Sequence, residues 1–447
     1  MDDLKLLKPV KEELDSIGCG MCLAKWTQVT IHLGPGITHS CHHVGAHKIP
    51  LDELKNNPNA LHNTIEKKMR RKEMREGKRP KECDYCWRIE DNTQEYSDRV
   101  WKSAANWSQV DKELIFNSDP MDDIYPRYVE VSFSNVCNFK CSYCGPAFSS
   151  KWTEEIKSKG PYKLYQTHYN GIKESEVSYP NREDNPYIEA FWKWFPEAVK
   201  HMYTFRITGG EPLLSKHTFK VIDYLLENPQ PNLHFAINTN ACPPGDLWKT
   251  FVKKIKQLED TKSIKYFSLY SSAESFGKHA EYSRDGMDWE LFSKNLRYFL
   301  DNTNTSELML MSAVNILGLP SLTTYLRFVS KLKEGNINRI IADFAYVRHP
   351  EFLDIKIADK ITIDKYLKTS IQYMINRKEK FSDYEYIKLN RIYEDCVARF
   401  KKDIDVSKER IQFLQFINEY DKRRGKNFTE VFPEYNNFVK VCEKNND

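Results

Sequence analysis

The sequence of 447 residues has no unbroken apolar run of about 18 residues, the length a membrane-spanning helix needs. Its opening, MDDLKLLKPVKEELDS, lacks both an apolar core and a small-residue cleavage site, so no secretory signal is expected. Net charge is nearly absent: 67 Lys and Arg stand against 63 Asp and Glu, leaving +4. That balance gives no reason to expect nucleic acid as a partner. No phosphate-binding Gly-rich loop argues for a nucleotide, and no internal repeat is found. Together these absences predict a cytoplasmic protein with no membrane association. Lys and Arg do gather in Glu66–Lys81, which reads as a solvated helix face with i,i+4 pairing to Glu.

What is present is globular in character. Hydrophobic residues make up 40%, charged residues 29% and aromatics 13%, too aromatic a mixture for disorder. In a cytoplasmic chain the eleven cysteines are expected as thiols or metal ligands rather than disulfides. Five lie early (Cys19, Cys22, Cys41, Cys83, Cys86) and three close together (Cys137, Cys141, Cys144). Cys242, Cys396 and Cys442 are scattered and read as small buried hydrophobes.

From residue 127 the pattern alternates. Strands are expected over 127–136, 202–212, 233–241, 264–273, 307–317 and 337–347, with amphipathic helices after the second to fifth. This implies an α/β fold: a parallel sheet with helices outside, as a partial (β/α)6 TIM-like barrel. The expected division is a Cys-rich domain over 1–115, the barrel over 121–355 and a helical region over 356–447. An insertion rich in Lys, Tyr and Trp is expected at about 147–200. In such barrels chemistry sits at the C-terminal ends of the strands. The triplet follows strand one and Gly209-Gly210-Glu211 follows strand two, so both belong to one mouth.

Three thiolates on one short loop can hold three irons of a 4Fe–4S cubane and leave the fourth iron open. A structural zinc would be closed by four ligands, so a zinc loop with a distant fourth ligand is the competing reading. The C-x3-C-x2-C spacing after a barrel strand, with Tyr143 before the last cysteine and TGGEP (Thr208–Pro212) beyond, resembles the radical SAM superfamily. The resemblance implies a 4Fe–4S cluster on Cys137, Cys141 and Cys144 that binds S-adenosylmethionine (SAM) at its open iron. Reductive cleavage would then give a 5′-deoxyadenosyl radical that abstracts hydrogen from a substrate. It further implies that Gly209 and Gly210 admit the ligand to the backbone and that Glu211 accepts from the SAM amino group. Ser272, Arg284 and Asn315 match further SAM-binding positions, with Arg284 suited to the SAM carboxylate.

In the first hundred residues, Cys22, Trp26, Gly36, Cys41, Cys83, Cys86, Glu90, Ser97 and Arg99 resemble the landmarks of twitch and SPASM domains, which usually follow the barrel. The resemblance implies a second, auxiliary 4Fe–4S cluster. Its expected ligands are Cys22, Cys41, Cys83 and Cys86, with Cys19 in place of Cys22 as the alternative. A zinc ribbon is the competing reading of the paired C-x2-C units, and His42 and His43 are expected to face solvent or backbone, with ligation beside Cys41 as the alternative. The tail Tyr420–Tyr435 is similar to tails of the same group, with no role attached.

The implied activity is that of a radical SAM oxidoreductase or maturase acting on a peptide or protein side chain, with flavodoxin or ferredoxin as electron donor. A small-molecule dehydrogenase is the alternative, and a zinc-bearing nucleic-acid-binding protein a remote one. Acid–base residues are not assigned; Tyr270, Glu274, Asp343 and Arg348 are candidates at strand ends.

Overall fold

The computed structural model describes every residue except 1, 166–168, 170, 172, 174–176, 180–183 and 445–447. The centre of the expected insertion thus lies partly outside the described residues.

Among the described residues eleven strands form: β1 (Gln28–His32), β2 (Ile37–His39), β3 (His47–Lys48), β4 (Tyr128–Ser132), β5 (Lys140–Cys141), β6 (Thr204–Thr208), β7 (Gln230–Thr239), β8 (Ile264–Ser272), β9 (Arg284–Asp285), β10 (Glu307–Val314) and β11 (Ile340–Tyr346). Nine of them make one sheet, ordered β11-β10-β8-β7-β6-β4-β1-β2-β3. The six barrel strands expected from alternation are all present and pair in parallel.

The N-terminal region joins the same sheet. β1 pairs in parallel with β4, from Gln28↔Tyr128 to His32↔Ser132, and β2 and β3 extend the edge as antiparallel strands. The hairpin that carries Cys41 is therefore fixed to the first barrel strand through a continuous ladder.

Period-two alternation decides the two faces. Val129, Val131, Phe205, Ile207, Phe235, Ile237, Phe267 and Leu269 are buried in the main core. The helices Lys216–Glu227, Leu247–Asp260, Trp289–Asn302 and Leu322–Leu332 bury apolar stripes, as with Val221, Ile222 and Leu225 of the first. The intervening strand positions are polar. Arg206 Nε donates to Asn238 Oδ1 at 2.7 Å, and the guanidinium stands 3.9 Å over the Tyr270 ring. Glu130 lies 3.5 Å from Arg206.

The last region is helical. The helix Asp383–Lys401 covers the edge strand β11, with Tyr384 donating to Asp343 at 3.0 Å and Lys388 at 3.2 Å from it. Covering that edge removes unpaired backbone from solvent. The helix Ser407–Arg424 ends at Gly425, whose left-handed φ of 62° turns the chain back toward the barrel mouth.

Candidate functional site

Two loops leave the C-terminal ends of neighbouring strands β4 and β6 and bond to each other. Gly210 N donates to Ser134 O at 3.2 Å and Glu211 N to Val136 O at 2.7 Å. The glycines are required by this contact. A Cβ on Gly210 would stand 2.3 Å from the Val136 carbonyl oxygen, and one on Gly209 (φ 124°) would stand 2.5 Å from Ser132 Oγ. Gly209 and Gly210 thus let one loop approach the other, where the sequence suggested approach to a ligand.

Glu211 departs from expectation more sharply. Its carboxylate is buried and accepts from Leu213 N (3.0 Å), Thr239 Oγ1 (2.8 Å) and Asn240 N (2.7 Å). It pins the glycine loop to the end of β7 instead of standing as a free acceptor. Burial nevertheless pushes its carboxyl up to about 7.

The cysteine loop is tied down on its other flank by a two-stranded ladder, Lys140↔Asp285 and Cys141↔Arg284. Arg284 is buried; its Nε donates to Glu274 at 3.2 Å and its Nη1 to Cys141 Sγ at 3.6 Å. Tyr143 donates to the same Glu274 oxygen at 3.0 Å. Cys137, Cys141 and Cys144 all have thiols pushed upward by burial, Cys137 to about 12. Such thiols keep their protons until a metal displaces them. Three soft donors on one loop, with an arginine beside one of them, fit three irons of a cubane.

The tail reaches this loop through carboxylates it shares with Lys140. Arg424 lies 3.1 Å from both Asp285 and Glu155 and donates to Tyr162 OH at 2.6 Å. Lys140, the residue before Cys141, pairs with the same two carboxylates at 3.3 and 2.9 Å. Lys426 lies 2.7 Å from Asp285, and Tyr420 OH donates to Tyr282 O at 2.8 Å. Tyr420–Lys426 is thus a collar against the backs of β5 and β9.

A second thiol group lies in the N-terminal region. Cys22, Cys41, Cys83 and Cys86 line one cavity of about 30 Å³ with Lys25, His43, Trp87 and Arg99. Cys19 is outside it, exposed, with Sγ donating to Gly77 O at 3.0 Å. Burial pushes Cys83 and Cys86 up to about 12 and Cys22 upward. Glu90, Ser97 and Arg99 meet here: Arg99 holds both Glu90 oxygens at 2.9 Å, and Ser97 donates to Glu90 at 2.5 Å. Among the described residues, no three Cys, His, Asp or Glu side chains are grouped as ligands of one metal ion. A single zinc with sulfur at about 2.3 Å would draw thiolates to roughly 3.8 Å of one another, whereas a cubane seats each on its own iron. Four soft thiol donors around one void are a ligand set that either centre could use.

Loop residues 39–46 form the wall between the two regions. Cys41 and His43 face the four-thiol cavity. His39, His42 and Ala46 face a cavity of about 190 Å³ that is also lined by Gly209, Gly210 and Asn135. Val44 borders both. His43 is paired, lying 2.8 Å from Asp98 and stacked on Tyr85 at 3.6 Å. His42 lies 3.7 Å from Glu130.

The remaining expected residues separate. Ser272 ends β8 opposite Met311 and is half-buried. Asn315 is fully buried and satisfied by its own turn, donating to Ala313 O (2.8 Å) and accepting from Leu317 N (2.9 Å). Tyr270 and Asp343 are taken by Arg206 and by Tyr384 with Lys388, and Arg348 lies over Tyr346 at 4.7 Å.

The sequence reading missed His32 and His39, whose Nε2 atoms face each other at 3.4 Å. The alternation in QVTIHLGPGITH could have put them on one hairpin face. It also misjudged the basic helix: Lys67 and Arg71 are buried instead of solvated, because the helix Ile65–Arg75 packs them beneath β1.

Residues 131–324 match the model of the Radical SAM superfamily. Curated relatives include GTP 3′,8-cyclases of Nautilia profundicola (29% identical; 29% of this chain and 31% of the relative) and Campylobacter lari (30% identical; 31% and 37%). Another is the radical SAM cyclopropyl synthase TigE of Paramaledivibacter caminithermalis (23% identical; 36% and 30%). The chain thus spans about a third of the length of these relatives. A solved structure, native anSMEcpe with bound AdoMet, aligns over 54% of this chain and 59% of its own at 17% identity, with a TM-score of 0.34. The stretch from the end of β4 to the helix after β10, with its three-cysteine loop and Gly-Gly-Glu loop, is a radical SAM superfamily domain.

Proposed function

We propose that the chain is a radical SAM enzyme that takes hydrogen from a peptide or protein side chain and uses two 4Fe–4S clusters. Cys137, Cys141 and Cys144 would hold the first and leave one iron for SAM. Cys22, Cys41, Cys83 and Cys86 would hold the second. When bound, the first cluster and SAM supply one-electron cleavage of the sulfonium and a radical able to take hydrogen.

The chain's own residues do the positioning. The mutually bonded loops after β4 and β6 set the cysteine loop against the glycine loop. Arg284 donates to one ligand thiol and is itself held by Glu274. The observation that carries the two-cluster reading is the wall at 39–46, with one face on the mouth and the other on four thiols. A substrate in the mouth would lose its second electron across one loop, and a small reducing protein such as flavodoxin or ferredoxin would supply the first cluster.

A further cavity of about 540 Å³ along the insertion, lined by Thr153, Glu154, Lys157 and Tyr179, shares Ser134, Asn135 and Ser178 with the mouth. A cavity of that volume, continuous with the mouth, has room for part of a peptide chain. The cyclase relatives favour a second reading, a small-molecule substrate.

The test is anaerobic incubation of the reconstituted chain with SAM, dithionite and candidate substrates. Release of 5′-deoxyadenosine with a mass change on a peptide supports the first reading, and a mass change on a metabolite supports the second. No 5′-deoxyadenosine from a fully iron-loaded chain would sink both.

A further inference from the structure

The wall of the mouth carries three histidines that neither cysteine set uses. β1 and β2 pair with Thr30 opposite His39 and His32 opposite Ile37. In an antiparallel pair this makes His32 and His39 diagonal neighbours on one face of the hairpin. Ile31 and Thr38, which alternate with them, are fully buried. His32 and His39 therefore turn together into the cavity of about 190 Å³ that Gly209, Gly210 and Asn135 also line. His42, on the loop just beyond, lines it too.

A backbone contact fixes which ring atoms meet. His39 Nδ1 lies 2.8 Å from Cys41 O. A carbonyl oxygen only accepts, so Nδ1 carries the proton and Nε2 of the neutral ring carries a lone pair. That lone pair faces His32 Nε2 at 3.4 Å, with the ring centres 5.5 Å apart and the planes inclined at 27°. Among the described residues the two Nε2 atoms make no other hydrogen bond. One N–H between them would make a bond beyond the usual length. Two imidazoles on one tetrahedral ion at about 2.0–2.1 Å, by contrast, set their nitrogens roughly 3.3–3.4 Å apart. A metal-bound histidine commonly gives its other N–H to a backbone carbonyl, as His39 does. No third Cys, His, Asp or Glu joins the pair among the described residues. The His42 ring stands 6.2 Å from that of His39, and its side chain is half exposed, so little packing opposes its turning toward the pair.

We infer that His32 and His39 bind one divalent first-row metal ion through their Nε2 atoms, with His42 as an arm that swings in to complete the site. Imidazole donors suit ions of the zinc class. With so few protein ligands, the ion keeps positions open toward the mouth, where an oxygen, nitrogen or sulfur atom of a substrate can bind beside the glycine loop. This site is separate from both cysteine sets, and its existence does not depend on which substrate the mouth takes.

The test uses the full chain without a histidine tag, reconstituted anaerobically with iron and sulfide and then equilibrated with zinc by dialysis. Zinc and iron are counted together. One zinc per chain is expected with iron unchanged, and X-ray absorption at the zinc edge should show nitrogen and oxygen at about 2.0–2.1 Å and no sulfur. His32→Gln and His39→Gln should each lose the ion at the zinc concentration that half-fills the parent. His42→Gln should weaken it roughly tenfold, and His349→Gln, at an exposed position, should match the parent. A parent that takes no zinc leaves the pair as a hydrogen bond only and overturns the inference. Sulfur in the zinc shell, which places the ion on cysteines, overturns it too, as does zinc retained in either variant. If one variant also loses iron, the other decides. If both do, modification of the parent by diethylpyrocarbonate, mapped by peptide mass, decides: zinc should protect His32 and His39, and equal modification with and without zinc overturns the inference. None of these outcomes bears on the radical SAM reading, which release of 5′-deoxyadenosine tests.

Discussion

Cys137, Cys141 and Cys144 come from eight consecutive residues, whereas Cys22, Cys41, Cys83 and Cys86 come from a loop, a hairpin and a helix start separated by long stretches of chain. The first set needs little chain closure to meet, but a short loop has no core of its own. It is held from outside by the glycine loop, by β9 and by the Arg424 collar. The second set needs long-range closure, with its entropic cost. It obtains this from its own small core of Leu14, Met21, Leu23, Trp26, Met74 and Ile115, and from β1, which anchors the hairpin to β4. A local site depends on distant supports, and a non-local site carries its supports with it.

The largest expected effect separates the two directly. Replacing Cys22, Cys41, Cys83 and Cys86 by Ala should remove about four of about eight irons per chain. The same treatment of Cys137, Cys141 and Cys144 should remove the other four. Iron and sulfide assays on anaerobically purified protein check this, and a total of four irons lost entirely with the triplet would erase the comparison.

Next in size is the collar. Arg424→Ala breaks buried pairs with Glu155 and Asp285 and is expected to cost about 3–5 kcal/mol. Iron should fall at the triplet site and persist at the four-cysteine site. Denaturant melts and the two-site iron count measure it, and equal loss at both sites would mean the collar supports the whole fold and not the loop.

Glu211 gives a smaller, pH-dependent effect. Its folded carboxyl is pushed up to about 7 by burial, against an ordinary value near 4.3. The folded state therefore holds the proton more tightly. Its contribution to stability is full below about pH 4 and is lost as pH rises through 7, about 4 kcal/mol in all. Urea denaturation of the metal-free chain at pH 5 and 7.5 should show this slope, and Glu211→Gln should flatten it. The smallest effect is Cys19→Ser, for which unchanged iron content is expected because Cys19 lies outside the cavity.

The legible parts of this molecule are those with a short period. Alternation located all six barrel strands, since every second residue must meet the helices while its neighbours face the concave side. C-x3-C-x2-C and TGGEP were legible as local motifs, and their positions after strands placed them in one mouth. Less legible was what the side chains do there. Glu211 and Asn315 are consumed by backbone donors and acceptors that only the folded loops supply. Gly210 faces Val136 O, a contact between two loops that no spacing encodes. Lys67 and Arg71 look solvated in sequence, because a run of charge reads as surface until its helix is packed.

The sequence by itself determined the fold class, the three-cysteine loop and the glycine loop, because each depends on residues a few positions apart and on the period of a strand or helix. Only the tertiary structure decided that β1 joins the barrel sheet, that Cys22 and not Cys19 lines the four-thiol cavity, and that the tail pairs with the carboxylates beside the cysteine loop. Those are contacts between segments tens to hundreds of residues apart. They are fixed by burial and charge pairing in three dimensions, and they leave no periodic mark along the chain.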